Sequence, residues 1–153
     1  MGCATSRHCV GCNGQFAEWR KQRSRIVAPD HWVAECVSAI RRTVHSRIVS
    51  APEGRVAIQD LFALDVEIVP TTERQCLAAL EWAERLGQAR AYDGLYCALA
   101  EALHAEFWTA DRRLARTAQQ GNAAWGTLDW RNYSALVEER SCSVSLAARP
   151  SLS

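Results

Sequence analysis

Three acidic residues of this 153-residue chain stand at the margins of apolar runs. Glu35 lies in "DHWVAECVSAIRR" with Trp32 and Ala39 as its helical neighbours, and Asp93 and Asp111 lie in "AYDGLYCALAEALHAEFWTADRRL". A partly buried acid without a nearby base generally needs a cation, because an isolated buried charge is costly. The pattern leaves two interpretations open: one shared metal site, or three separate structural roles.

The structural roles are specific for two of these residues. Asp93 falls in the first turn of a predicted helix, where the helix dipole favours a negative charge. Asp111 precedes a predicted short helix that starts at Arg112, and an aspartate is a favoured cap at such a position. These roles alone would account for both residues.

The elements that position the acids alternate between strand and helix, which is typical of α/β proteins. Strands are predicted at "SRIVAP", "VEIVP", "AEFWTA" and "NAAWGTLDW". Helices are predicted between them, with capping boxes at Ser50–Glu53 and Thr72–Gln75 and with Gly87 as a helix stop. Strands joined by crossover helices form a parallel sheet, and ligands collect at the carboxyl ends of its strands. Asp111 directly follows such an end.

Composition and charge limit the class of protein. Hydrophobic residues make up 48% of the chain and charged residues 23%, which suits one globular domain. The sequence has no apolar run of membrane-spanning length and no secretory signal pattern, so we expect a cytoplasmic protein. Net charge is +5 over residues 1–55, −7 over residues 56–111 and +3 over residues 112–153. Basic ends around an acidic middle suit a polyanion held near carboxylates, although solvated faces give the same pattern.

The seven cysteines fall into groups with different expected roles. Cys36, Cys76 and Cys97 occupy apolar positions of helical patterns and are predicted to lie in the core. Three more stand near the start of the chain, where the segment "CATSRHCVGC" allows a zinc site or reduced bystanders: Cys3, Cys9 and Cys12. The opening "MGCATS" also fits an N-myristoylation pattern.

Three segments in this order and spacing resemble PIN-domain proteins, above all VapC-like toxins of bacterial toxin–antitoxin pairs. They are "APDHWVAECVSAIRR", "AYDGLYCALAEAL" and "FWTADRRLAR". The resemblance implies a three-layer α/β/α domain with a mainly parallel central sheet. It further implies that Glu35, Asp93 and Asp111 bind Mg²⁺ or Mn²⁺ and, with Thr109, form the catalytic site of a ribonuclease.

The chemistry implied by the resemblance suits these residue types. Hard divalent cations prefer oxygen ligands, and a cation-bound water of lowered pKa can attack a phosphodiester. Arg112 and Arg113 after Asp111, and Arg42 on the Glu35 helix, are expected to bind the RNA backbone, although each also suits a solvated helix.

One part of the family pattern has no counterpart in this sequence. The family begins with a strand in the middle of the sheet that ends in an aspartate, and no aspartate occurs before Asp30. We therefore expect this N-terminal strand to be missing or replaced, with the cysteine segment or another chain filling the gap between "RIVAP" and "AEFWTA". The expected domains are an atypical cysteine-containing segment over residues 1–23, a PIN-like domain over residues 24–132 and a flexible tail over residues 133–153.

Two functions from different classes follow from the resemblance. The first is a metal-dependent endoribonuclease toxin that is neutralised by a small antitoxin protein and forms a homodimer. The second is a degenerate PIN-like protein that binds an antitoxin but does not cut RNA.

Overall fold

A five-stranded sheet runs through the computed structural model of the chain. The structure describes residues 18–109, 111, 114 and 116–117, and the backbone of residues 125–127 and 145–149. The strands are β1 (Arg25–Pro29), β2 (Glu67–Val69), β3 (Glu106–Thr109), β4 (Trp125–Thr127) and β5 (Ser145–Arg149). The helices with fully described bounds are α1 (Trp32–His45), α2 (Ala51–Phe62), α3 (Glu73–Arg85) and α4 (Tyr92–Leu103).

Local sequence signals set the helix ends where they were predicted. Ser50 and Glu53 form a reciprocal capping box at the start of α2, and Thr72 and Gln75 form another at the start of α3. Gly87 follows α3 with a φ of 62°, a left-handed conformation that glycine adopts without a Cβ penalty. These predictions are confirmed, and they fix where α3 ends and the loop to α4 begins.

The strand order is β2-β1-β5-β3-β4, so the chain's last described strand is the central one. β1 pairs in parallel with β2, and β3 pairs in parallel with β4. β5 is antiparallel to both β1 and β3. The predicted mainly parallel sheet is confirmed, and its middle position is indeed filled by a replacement.

The identity of that replacement differs from our expectation. We expected the cysteine segment or another chain between β1 and β3, and a flexible tail over residues 133–153. Instead, residues 145–149 of the same chain pair with both strands. The reason is backbone pairing: two neighbouring inner strands expose N–H and C=O groups that must find partners, and a short strand supplies them whatever its side chains. The boundaries proposed near residues 23 and 132 stay predictions, and Cys3, Cys9 and Cys12 lie outside the described residues.

Both faces of the sheet are covered, as a three-layer α/β/α fold requires. Ile26, Val27 and Ala28 of β1 are buried in succession, so side chains on both faces of the strand are shielded from water. α4 packs against α3 and against β1, β3 and β5. Trp32 of α1 belongs to the same buried cluster as these strand residues.

The contact between α3 and α4 depends on a glycine. A Cβ at Gly94 would collide with the backbone carbonyl of Ala79, so only glycine lets the two helices approach this closely. Trp82 then donates an indole hydrogen bond of 2.9 Å to Glu101 across the same pair of helices. This close packing fixes the start of α4, where Asp93 lies.

Two of the three predicted core cysteines are confirmed. Cys36 and Cys97 are buried and Cys76 is exposed, so the prediction for Cys76 is wrong. The exposed side of α3 also carries Leu77 and Leu80, which shows that apolar residues occur on two sides of this helix. Within the described residues no helix combines the length and apolarity that crossing a membrane requires.

The central position of β5 makes a direct prediction. We expect Ala147→Pro to lower the free energy of unfolding by on the order of 3 kcal/mol, since it removes a ladder hydrogen bond, leaves a buried acceptor unpaired and introduces a ring clash. Ala147 pairs with Val27 on one side and Phe107 on the other, so neither side is a free edge. Urea denaturation measures the change. Ala147→Gly keeps the N–H and is the matched control; equal stability of the two variants would contradict the pairing.

Candidate active site

The carboxyl ends of the four strands β1 to β4 lie at the same end of the sheet, which is called its carboxyl edge here. β1 and β3 are both antiparallel to β5, so they run in the same direction as each other and as their parallel partners β2 and β4. Pro29 ends β1 at this edge and Thr109 ends β3 there, and Ser145 begins β5 opposite Thr109. The segments that follow β1 and β3 carry Glu35 and Asp111, so these acids are delivered to the same edge, as the strand directions predicted.

Glu35 is positioned by a tyrosine from another helix. Its carboxylate accepts a hydrogen bond of 2.6 Å from the hydroxyl of Tyr96, which lies 61 residues further along the chain. Tyr96 is buried, and burial together with the adjacent Glu35 carboxylate raises the pKa of its phenol. Tyr96 therefore stays a hydrogen-bond donor at neutral pH and fixes α1 to α4 at the site.

Asp93 is partly buried in the first turn of α4. The side-chain amide of Gln88 donates a hydrogen bond of 2.7 Å to one of its carboxylate oxygens. Burial raises the pKa of Asp93, and the negative charges of Asp111 and Glu35 raise it further, whereas Gln88 and His31 lower it. Asp93 therefore lies close enough to Glu35 and to Asp111 for each of their charges to act on it.

Asp111 caps the helical segment that follows β3. Its carboxylate accepts a hydrogen bond of 3.1 Å from the backbone N–H of Leu114, which confirms the predicted capping role. Its own N–H donates to the hydroxyl of Thr109, also at 3.1 Å. Thr109 is only 2% exposed, so the hydroxyl orients the turn from inside the protein.

The donor set suits a hard divalent cation in its chemistry and its charge. Carboxylate oxygens are the ligands that Mg²⁺ and Mn²⁺ accept, and a cation would offset the desolvation and the like-charge repulsion that raise the pKa of Asp93. The described residues nevertheless contain no group of three or more Asp, Glu, His or Cys side chains already close enough to hold a metal ion. Each acid instead binds a protein donor: Tyr96 for Glu35, Gln88 for Asp93 and Leu114 for Asp111.

The structure describes one of the three arginines that were predicted to bind RNA. Arg112 and Arg113 lie outside the described residues. Arg42 is exposed on α1, seven residues after Glu35, which places it on the same side of the helix about 10 Å further along. Its assignment stays a prediction.

Three residues near the acids were missed by the sequence reasoning. Tyr96 and His31 each lie one helical turn from an acid, at i+3 from Asp93 and i−4 from Glu35. That spacing could have indicated both. Gln88 lies in the loop before α4, and nothing in the sequence marks it as a partner of Asp93.

The raised pKa of Asp93 predicts that this residue costs stability at neutral pH. A carboxyl whose pKa is higher in the folded protein binds its proton more tightly there, so its favourable contribution exists below the ordinary value of 3.8 and is lost as the pH rises through the folded value. We expect Asp93→Asn to be more stable than the wild type at pH 7, with the difference shrinking as the pH is lowered toward 3.8.

Urea denaturation between pH 4 and pH 7 in the presence of a chelator measures this difference. Asp60→Asn on the exposed side of α2 is the matched control and should follow the wild type across the range. A wild type that is more stable than Asp93→Asn at pH 7 would contradict the interpretation.

Comparison with known proteins agrees with this architecture. The PIN domain family matches residues 13–120 of the chain. Ribonuclease VapC12 from Mycobacterium tuberculosis, in strain H37Rv and in strain CDC 1551, is 34% identical over 103 residues, which cover 64% of this chain and 74% of the relative. No solved structure gives a significant match. The matched residues include Glu35, Asp93 and Asp111, and the chain belongs to the PIN-domain family.

Proposed function

We propose that the chain is a metal-dependent endoribonuclease and the toxin component of a type II toxin–antitoxin pair. The observation that carries the proposal is the electrostatic coupling of Asp93 with both Glu35 and Asp111 at the carboxyl edge of the sheet. Carboxyl groups whose pKa is raised by burial and by neighbouring negative charges cluster at functional sites. Membership of the PIN-domain family and similarity to a protein named as a ribonuclease support the same activity.

In this proposal Glu35, Asp93 and Asp111 hold Mg²⁺ or Mn²⁺, and Thr109 orients the turn that carries Asp111. A bound divalent cation supplies charge neutralisation for a phosphate and lowers the pKa of a water molecule. Tyr96 keeps one oxygen of Glu35 in a fixed position, and Gln88 does the same for Asp93. Thr109 and Leu114 hold Asp111 through its backbone and its side chain, so the site is oriented by neutral donors that leave the negative charge intact.

The remaining partners belong to the same proposal. Arg42, Arg112 and Arg113 contact the RNA backbone, and an antitoxin and a second copy of the chain cover apolar surface. The described helices expose large apolar side chains that suit such contacts: Val56 and Phe62 on α2, and Leu77 and Leu80 on α3. We place this activity in the cytoplasm, where RNA is the available substrate.

The activity is tested with the purified full chain, structured RNA and Mn²⁺ or Mg²⁺. We expect cleavage that requires the metal and that falls at least about a hundredfold in Asp93→Asn, because loss even of groups that only orient metal ligands costs about 10–100-fold. Gel analysis of end-labelled RNA measures the rate. The Asp93→Asn protein is expected to stay folded, so a loss of activity reports on the site.

Substitutions of exposed acids test whether a loss of activity comes from the site or from the loss of any one negative charge. Asp60→Asn and Glu84→Gln should cleave at the wild-type rate, whereas Glu35→Gln and Asp111→Asn should lose activity. Cleavage by Asp93→Asn at the wild-type rate would contradict the assignment. Absence of metal-dependent cleavage in the wild type, with an antitoxin still bound, would instead support a non-catalytic PIN-like binding protein.

A further inference from the structure

Three aromatic rings lead from the protein interior to the surface beside the acids. Tyr96 is buried, the side chain of His31 is 17% exposed and Tyr92 is 55% exposed. The ring centroid of His31 lies 5.0 Å from that of Tyr96 and 5.7 Å from that of Tyr92. Tyr92 and Tyr96 are one helical turn apart on α4, so they share one side of that helix. The buried ring therefore supports His31, and His31 in turn contacts the exposed ring of Tyr92.

Tyr92 is exposed at the candidate active site. It directly precedes Asp93 in the first turn of α4, and the charges of Glu35 and Asp111 act on Asp93. The Tyr92 ring is thus a large apolar surface open to water next to the acids. An RNA strand that brings a phosphodiester to these acids also brings its bases close to the ring.

The surrounding charges favour one part of a nucleotide over the others as the partner of the ring. His31, which contacts Tyr92, lies 4.0 Å from a carboxylate oxygen of Asp30 and 3.9 Å from one of Glu35. These negative charges repel a phosphate but do not repel a neutral base. Bases are planar and apolar on their faces, and unpaired bases stack on tyrosine rings in proteins that bind single strands. A base is therefore the group that suits this ring.

Arg90 supplies a positive charge close to the same ring. It is exposed in the loop before α4, and within the described residues no carboxylate pairs with its guanidinium. One residue separates it from Tyr92, so the two Cα atoms are at most about 7 Å apart. The guanidinium group matches phosphate geometry, and proteins that bind single strands combine such cations with stacking rings.

We propose that Tyr92 stacks against one unpaired base of the RNA substrate and that Arg90 contacts a phosphate beside that base. This inference rests on the proposed function, since it takes RNA as the substrate, and it adds that the RNA is bound at a single strand or a loop. Bases of a duplex are already stacked on their neighbours and are not available to the ring. His31 is a positioning residue that holds the ring, and neither contact with RNA uses a metal.

The test measures binding of the purified full chain to a fluorescent single-stranded RNA of about ten nucleotides, a length within the range that single-strand sites cover. A chelator keeps the RNA intact, and fluorescence anisotropy gives the affinity. We expect Tyr92→Ala and Tyr92→Leu to bind at least about fivefold more weakly than the wild type, because stacking on the ring is lost, and Tyr92→Trp to keep the affinity. The same RNA in a duplex should bind more weakly to the wild type.

The salt dependence of binding separates the two contacts. Arg90→Gln should reduce the slope of log affinity against log salt by about 0.7, the value for one phosphate contact to a single strand, whereas Tyr92→Ala should leave the slope unchanged. Matched controls are Ile48→Ala and Arg47→Gln, two exposed residues beyond the end of α1 and about 21 Å from its start. Both controls should bind RNA as the wild type does.

RNA that lacks a single base identifies the stacked position. Removal of one base should weaken binding to the wild type at one position of the strand and cause no further loss in Tyr92→Ala, since the partner of that base is already gone. Equal affinity of the wild type, Tyr92→Ala and Tyr92→Leu would overturn the inference and leave the ring to a protein partner. A wild type that cleaves RNA with metal but binds none in the chelator would overturn this inference alone. Binding that depends on Tyr92 without cleavage at any metal concentration would instead overturn the nuclease activity.

Discussion

Backbone pairing in the middle of the sheet is the constraint on which the rest of the molecule depends. β1 and β3 both end at the carboxyl edge of the sheet, and β5 holds them in their relative position by pairing with both. An open gap there would leave buried N–H and C=O groups without partners, at a cost of about 1–3 kcal/mol each. Glu35 follows β1 and Asp111 follows β3, so the distance between these acids is set by a strand that contains neither.

The site itself works against the stability that the sheet provides. Burial and two neighbouring carboxylates raise the pKa of Asp93, so the folded protein at neutral pH carries a charge that it accommodates poorly. The close packing of α3 and α4 at Gly94 fixes the start of α4, and the hydrogen bond from Gln88 fixes the Asp93 carboxylate. The carboxylate is therefore held in its partly buried position instead of rotating into solvent. Desolvation is the largest cause of the raised pKa and the charges of Asp111 and Glu35 add to it, so a positive charge bound beside Asp93 would lower that pKa again.

Most helices and strands could be predicted from the sequence because their signals are local. Capping residues, proline-terminated β-branched runs and acids at helix starts each act within a few residues. The central strand could not be predicted, because "SLAAR" follows a serine-rich stretch and its place depends on a pairing with distant strands. Tyr96 and Glu35 illustrate the same limit, since 61 residues separate two groups that meet at 2.6 Å. Whether Cys76 is buried depends on which elements pack against α3. The spacing of apolar residues along the helix does not predict that.

The direction of β5 decides which of its two ends lies beside the carboxyl ends of the other strands. The family pattern places an aspartate at the carboxyl end of the middle strand, which would lie at the site edge in a parallel arrangement. β5 is antiparallel, so its amino end, Ser145, lies at that edge, and its carboxyl end lies opposite Arg25 at the other edge of the sheet. A strand in this direction restores the backbone hydrogen bonds but cannot deliver a residue from its carboxyl end to the site.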